Sequence, residues 1–294
     1  MPNCNIAMAH PDRPIDIVIP VYRGEAETRR CLESVLTAKL KCPHAVIVID
    51  DASPEPALSA WLKNVHSSGR IQLISHAENG GFVATANEGM LLHPERDVVL
   101  LNSDTEVAPG WLDRLRAHTL QNDMVGTVTP FSNNATICSY PRWLEKNDLP
   151  PNESTASLDA VFARVNAGQS ANIPTAVGFC MYIKRHCIDR VGVFDQALYG
   201  AGYGEEVDFC MRAARAGFMH RIAADVFVRH VGEVSFGNSG MDRRAKAQLT
   251  VDSLYPEFQE GLREFIPADP LRKFRERVDQ ALQSPGHRIW RWLR

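Results

Sequence analysis

The sequence predicts an α/β fold: a mostly parallel, Rossmann-like sheet flanked by helices, with a helical C-terminal tail. Three observations predict it. Short β-branched runs alternate with amphipathic stretches from residue 15 to about residue 132. The runs are apolar throughout, as strands covered on both faces are. Acidic residues end two of them, at the place where such sheets bind ligands.

The elements follow in order. IDIVIPVYR (15–23) is the first buried strand. In GEAETRRCLESVLTAK, Cys31, Leu32, Val35 and Leu36 recur at helical spacing, with charge on the other face. HAVIVIDDAS is a second strand, PALSAWLKNVHSS a helix and RIQLISH a third strand. GGFVATANEGMLLH is a helix opened by glycine, and DVVLLNSD is a fourth strand. PGWLDRLRAHTLQ is a helix with Pro109 suited to its first turn, and MVGTVTPFS is a fifth strand. Residues 141–172 are polar and irregular, with LPPNESTAS as a loop signal. TAVGFCMYIKRHCIDRVGVFD resumes as a strand and a short helix. EEVDFCMRAARAG is a helix closed by Gly217, and HRIAADVFVRH is a strand. From about residue 240 the chain is helical and charged.

Composition narrows the function. The chain has 294 residues, 45% hydrophobic and 23% charged, enough for one large α/β domain or two small ones. A net charge of −3 provides no global field for nucleic acid. Seven cysteines without a C-x-x-C pair suit a reducing, cytoplasmic setting. No run of 18 apolar residues is present, and the N-terminus does not read as a secretory signal. There is no G-x-G-x-x-G after the first strand and no P-loop.

Five places carry candidate chemistry. Asp50, Asp51 and Ser53 either cap a turn or accept from the base and ribose of a nucleotide. In NGGFVATANEG, Gly80 and Gly81 allow close backbone approach to a ligand, with Asn79 and Asn87 as polar contacts. Asp104, two residues after Asn102, is either a helix cap or a hard oxygen ligand for Mg²⁺ or Mn²⁺. Glu205, Glu206 and Asp208 open a helix behind the glycine-rich LYGAGYG. They complement the helix dipole, with Asp208 pairing with Arg212 four residues on, or they supply a general base beside a cleft. His230 ends a strand, and Ser235 stands in the loop after it.

Taken in order, IVIPVYR, VIVIDDAS, ENGGFVATANEG, LLNSDTEV, AVGFCMYIKR, VGVFDQAL, GYGEEVDFCMRAARAG and RHVGEVSFG resemble the inverting family 2 glycosyltransferases. The likeness runs toward the rhamnosyltransferase-like members that build bacterial polysaccharides, and covers about residues 15–237. It implies a GT-A fold over 15–239. Residues 15–130 would be the nucleotide-sugar half and 131–239 the acceptor half. Residues 1–14 would be an extension and 240–294 a helical C-terminal region. It further implies a metal-dependent hexosyl or deoxyhexosyl transfer from a nucleoside-diphosphate sugar to a glycan or lipid-linked acceptor. Pro20, Tyr22, Asp50 and Asp51 would border the nucleoside. Asn79, Gly80, Asn87, Asn102 and Ser103 would line the donor site. Asp104 matches the last acid of the family's Asp-x-Asp signature, whose first acid is Asn102 here, and His230 would sit near the metal or diphosphate. Glu205 and Glu206 align with the pair that holds the base; Glu206 is the first choice, with Glu205 and Asp208 as alternatives.

Two other readings compete. A nucleotidyltransferase would need a Gly- and Lys-rich phosphate loop after the first strand, which PVYRGEAETRR lacks. A non-catalytic carbohydrate-binding or scaffold protein would not need Asp104 and Glu206 together. The terminal GHRIWRWLR interleaves Arg288, Arg291 and Arg294 with Trp290 and Trp292. It reads either as a packed helix with snorkelling arginines or as a peripheral membrane contact.

Overall fold

Each apolar run became a strand in the computed structural model. It describes residues 12–200, 202–232 and 240–285, with side chains from 244 onward in the last stretch. The first half is a parallel unit of β1 (Ile15–Val21), β2 (His44–Asp50), β3 (Gln72–Ser75) and β4 (Asp97–Leu101). Helices α1 (Glu25–Thr37), α2 (Pro56–Ser67) and α3 (Phe82–Leu91) make the crossovers. Alternate residues of each strand face opposite cores. Ile15, Ile17, Ile19, Val46 and Val48 pack with α1 and α2, while Val18, Ile47 and Ile49 pack with α3. Burial on both faces is why the sequence shows continuous apolar runs.

After β4 come β5 (Thr105–Glu106), α4 (Trp111–Thr119), β6 (Val125–Phe131), α5 (Thr155–Val165) and β7 (Ser170–Ile173). Then follow β8 (Cys180–Ile183), α6 (Arg185–Val191), α7 (Gln196–Tyr199), α8 (Glu205–Arg215), β9 (Met219–Phe227) and β10 (Arg229–His230). The main sheet has the order β3-β2-β1-β4-β8-β6-β9-β7. Its parallel pairs are β3–β2, β2–β1, β1–β4 and β6–β9. β8 runs against both β4 and β6, so its beginning lies at the edge where the parallel strands end.

Two expectations are corrected. Residues 141–172 are not irregular throughout, since they contain α5 and the start of β7. The Ser154 hydroxyl accepts from the Ser157 N–H at 3.1 Å, and the Ser157 hydroxyl accepts from the Ser154 N–H at 2.8 Å. This reciprocal cap starts a helix within what reads as a polar loop. Leu158, Val161 and Phe162 then bury one face. The last expected strand, 220–230, is two strands. β9 stays in the main sheet, and β10 leaves it to pair with β5.

The C-terminal region is helical over its described part: α9 (Gly240–Leu254), α10 (Pro256–Ala268) and α11 (Arg272–Gln283). Val251, Tyr255 and Phe258 pack on the α3–α8 side of the sheet. Leu271, Phe274 and Val278 pack on the other side. Among the described residues no helix is long and apolar enough to cross a membrane. Ser235 and the 286–294 tail lie outside the described residues.

Gly89 shows how closely the first unit is packed. A Cβ there would collide with Val18 Cγ1 of β1. Gly89→Ala is therefore expected to lower stability by about 1–3 kcal/mol through overpacking, despite alanine's better helix propensity. Urea unfolding of the two proteins checks this.

Candidate active site

The site forms where the parallel strands end. At the end of β1, Pro20, Val21 and Tyr22 face a cleft of about 980 Å³. At the end of β2, the two aspartates have different tasks. Asp50 accepts from the Ser53 N–H at 2.8 Å and the Ser59 hydroxyl at 2.6 Å, and it does not line the cleft. It is a turn cap. Asp51 lines the cleft and accepts from the N–H groups of Gly80 and Gly81 at 2.8 and 2.9 Å. It thereby fixes the glycine loop that opens α3. His76 Nδ1 lies 2.8 Å from Asp51, and its Nε2 lies 2.6 Å from Glu88. Burial works against charge on His76, but the two carboxylates outweigh burial and raise its pKa above the usual value.

Asn79 and Gly80 line the cleft; Asn87 does not. The Asn87 side chain exchanges two hydrogen bonds with the Phe194 backbone, at 2.9 and 3.0 Å. It ties α3 to the segment before α7. Gly81 has φ +84°, and a Cβ there would stand 3.0 Å from the Gly200 carbonyl. The glycine loop and the turn before α8 thus touch.

After β4 the chain passes Asn102, Ser103 and Asp104, all on the cleft. The β5–β10 ribbon pairs Thr105 with His230 and so brings His230 to Asp104. His230 Nε2 lies 3.4 Å from Asp104 Oδ1 and 3.4 Å from Asn102 Nδ2. Its Nδ1 lies 2.8 Å from the Asn134 carbonyl, which can only accept. A neutral His230 therefore carries its proton on Nδ1 and presents the Nε2 lone pair beside Asp104. Phe179, at the start of the reversed β8, stacks on the imidazole with centroids 5.2 Å apart. Asp104 Oδ2 accepts from the Gly232 N–H at 2.7 Å. Burial alone would raise the Asp104 carboxyl; the Nε2–H and charge of a doubly protonated His230, with the Gly232 N–H, outweigh it and hold the group below the usual carboxylate range.

Across the cleft, Gly204 (φ +88°) starts α8, placing Glu205 and Glu206 in its first turn. Glu205 is buried and Glu206 half-buried, and both line the cleft. One oxygen of each carboxylate is enclosed without a hydrogen-bond partner among the described residues. Burial pushes both carboxyls up, and for Glu205 the charge of Glu206 adds to it. Asp208 lies behind them, off the cleft. It accepts from Arg212 Nε at 2.8 Å and from the Tyr255 hydroxyl at 2.6 Å, which makes it a tether of α8.

Of the residues singled out in the sequence, Pro20, Tyr22, Asp51, Asn79, Gly80, Asn102, Ser103, Asp104, Glu205, Glu206 and His230 converge on one cleft. Asp50, Asn87 and Asp208 lie behind it. Sequence reasoning missed Phe179, Lys146 and the face of α9 that carries Arg244 and Ala247, all of which line it. Phe179 falls within the quoted AVGFCMYIKR, but no pattern gave it a task.

The glycosyl transferase family 2 model matches residues 16–192. The chain belongs to glycosyl transferase family 2. A pre-mycofactocin glycosyltransferase of Mycobacterium tuberculosis is 26% identical over 235 residues, 76% of this chain and 45% of the relative. An uncharacterized protein of Sinorhizobium fredii is 24% identical over 290 residues, 92% of this chain and 30% of the relative. The chain thus spans less than half the length of these curated relatives. A crystal structure of GalNAc-T7 with UDP, GalNAc and Mn²⁺ aligns with a TM-score of 0.62 and 16% identity, over 94% of this chain and 57% of that one. That likeness establishes the shared GT-A fold. In this family 2 chain, the matched segment carries Asp51 and Asp104, whereas Glu205, Glu206 and His230 come from beyond it.

The His76 bridge has a pH signature. A histidine whose folded pKa exceeds its unfolded one stabilises the protein fully below the unfolded value of 6.5. It loses that contribution as pH rises through the folded value. His76→Gln should therefore be less stable than the parent below that pH, with the gap narrowing as pH rises. Urea unfolding over a pH series checks it.

Proposed function

We propose that the chain is an inverting glycosyltransferase. It moves a sugar from a nucleoside-diphosphate sugar to an acceptor hydroxyl, carried by a glycan or a lipid-linked glycan of a polysaccharide pathway. The observation that carries this reading is the convergence of Asp104 and His230 with Glu205 and Glu206 on one cleft.

The residues fit a divalent metal shared with substrate. Asp104 Oδ1 and His230 Nε2 lie 3.4 Å apart, and the lone pair of a neutral His230 is turned toward the aspartate. No group of three or more His, Cys, Asp or Glu that could hold a metal occurs among the described residues. Mg²⁺ is typically held by one or two carboxylates and completes its shell from substrate phosphates and water. Such an ion would offset negative charge on the departing diphosphate.

The chain's own residues do the rest. Pro20, Tyr22 and Asp51, with the Gly80–Gly81 loop, border the nucleoside. Glu206, whose carboxyl is raised by burial, takes the proton from the acceptor hydroxyl. The acceptor oxygen then bonds to the anomeric carbon from the face opposite the diphosphate. The carbon–oxygen bond to the diphosphate breaks, and its electron pair leaves with that group. One displacement inverts the anomeric carbon. Glu205 is the less exposed of the pair, and the charge of Glu206 raises its carboxyl further.

A panel of UDP-glucose, UDP-N-acetylgalactosamine, GDP-mannose and dTDP-rhamnose, each with Mg²⁺ or Mn²⁺, tests the donor class by thermal shift, since a bound donor raises stability by mass action. Diphosphate release from the stabilising donor then tests the chemistry. Glu206→Gln is expected to lower turnover by about 10²–10⁴-fold with donor binding intact. Near-normal turnover in that variant would remove Glu206 from the role. Asp104→Asn is expected to abolish the extra thermal shift that the metal adds to the donor's. Release of sugar 1-phosphate in place of the nucleoside diphosphate would indicate nucleotidyl transfer instead.

A further inference from the structure

The turn that delivers Glu205 and Glu206 is costly in isolation. Gly202, Tyr203 and Gly204 all have left-handed backbone, with φ of +86°, +71° and +88°. Glycine adopts that region freely, but a tyrosine does so only when its surroundings hold it there. The surroundings come from α9, beyond the segment that matches the family. The Arg244 guanidinium lies 4.8 Å from the centroid of the Tyr203 ring. One helical turn on, Ala247 is so close that a Cβ on Gly204 would stand 3.3 Å from its own. A Cβ on Gly204 would also stand 2.9 Å from Tyr199 Cε1, so the turn is enclosed from both sides. Tyr255 and Arg215 then anchor this helical region to α8. The Tyr255 hydroxyl reaches Asp208 at 2.6 Å, and Arg215 Nε reaches Glu257 at 2.8 Å.

We propose that Arg244 is a positioning residue for the transfer reaction: it grips the Tyr203 ring and holds the 202–204 turn in the form that presents Glu206 to the acceptor hydroxyl. The inference rests on Glu206 being the base. Two further observations agree with it. Arg244 itself lines the same cleft as Glu206. Burial raises the Glu206 carboxyl, and the backbone donors there and the Arg244 charge pull it part of the way back. The other charged or titratable groups that line the same cleft are Tyr22, Asp51, Asp104, Lys146, Tyr203, Glu205 and His230.

Diphosphate release from the stabilising donor of the panel, followed against pH, tests the proposal in the full chain. Arg244→Gln should lower kcat by up to ~10²-fold, the scale of a small misplacement of a reacting group, with KM for the donor unchanged. It should also move the acid limb of the profile to higher pH, because Glu206 loses a neighbouring cation. Arg244→Lys should restore the limb. Tyr203→Leu removes the gripped ring but leaves the cation; it should lower kcat with the limb in place. Unchanged kcat in Arg244→Gln would overturn the proposal, whether or not the limb moves. So would a loss in Arg244→Gln that Tyr203→Leu does not share. These results are read beside Glu206→Gln. If that variant is inactive while Arg244→Gln is normal, only this inference fails. If Glu206→Gln is active, or the parent releases no diphosphate, the reading beneath it fails.

Discussion

One carboxylate ties the two ends of the site together. Asp104 leaves β4 buried, and a buried charge must be paired or hydrogen-bonded. Its partners come from a stretch of chain more than a hundred residues later. The Gly232 N–H meets its carboxylate at 2.7 Å, the Val231 N–H meets its carbonyl at 3.1 Å, and His230 stands beside it. The short β5–β10 ribbon forms around this junction. Without it, the end of β4 would be an acidic loop, and His230 would have no reason to face the cleft.

The cleft sets two kinds of carboxylate against each other. Asp104 accepts from the Gly232 N–H beside His230 and is held below the usual range. Glu205 and Glu206 sit in enclosed space and are pushed up. A raised carboxyl is the stronger base, so one wall favours steady negative charge and the other favours proton uptake. Environments that drive like groups apart in this way are how a single fold assigns acid, base and electrostatic tasks.

Much of this was legible in the chain. Continuous apolar runs gave the strands because both faces are covered, and acids at strand ends marked the ligand edge. What was not legible depended on partners distant in sequence. Asp50 and Asp51 are neighbours in one motif, yet Ser53 and Ser59 occupy the first while the second faces the cleft. Nothing local distinguishes them. Asn87 and Asp208 likewise found partners in Phe194 and Tyr255, and so lie behind the cleft rather than on it. Phe179 was missed because β8 runs backwards: its beginning, rather than its end, reaches the ligand edge. The helix at 155–165 was missed for a local reason, since its start signal is a pair of serines in a segment of loop composition.

The reach of α9 changes how the chain can be divided. The stretch that matches the family closes at residue 192, just after α6. It keeps the strand edge and Asp104 but leaves behind both glutamates, His230 and the helical wall over them. A boundary drawn from family likeness would therefore split the cleft. Trimmed or swapped versions made along it would inherit the strand-end lining of the cleft without the helical part that closes it.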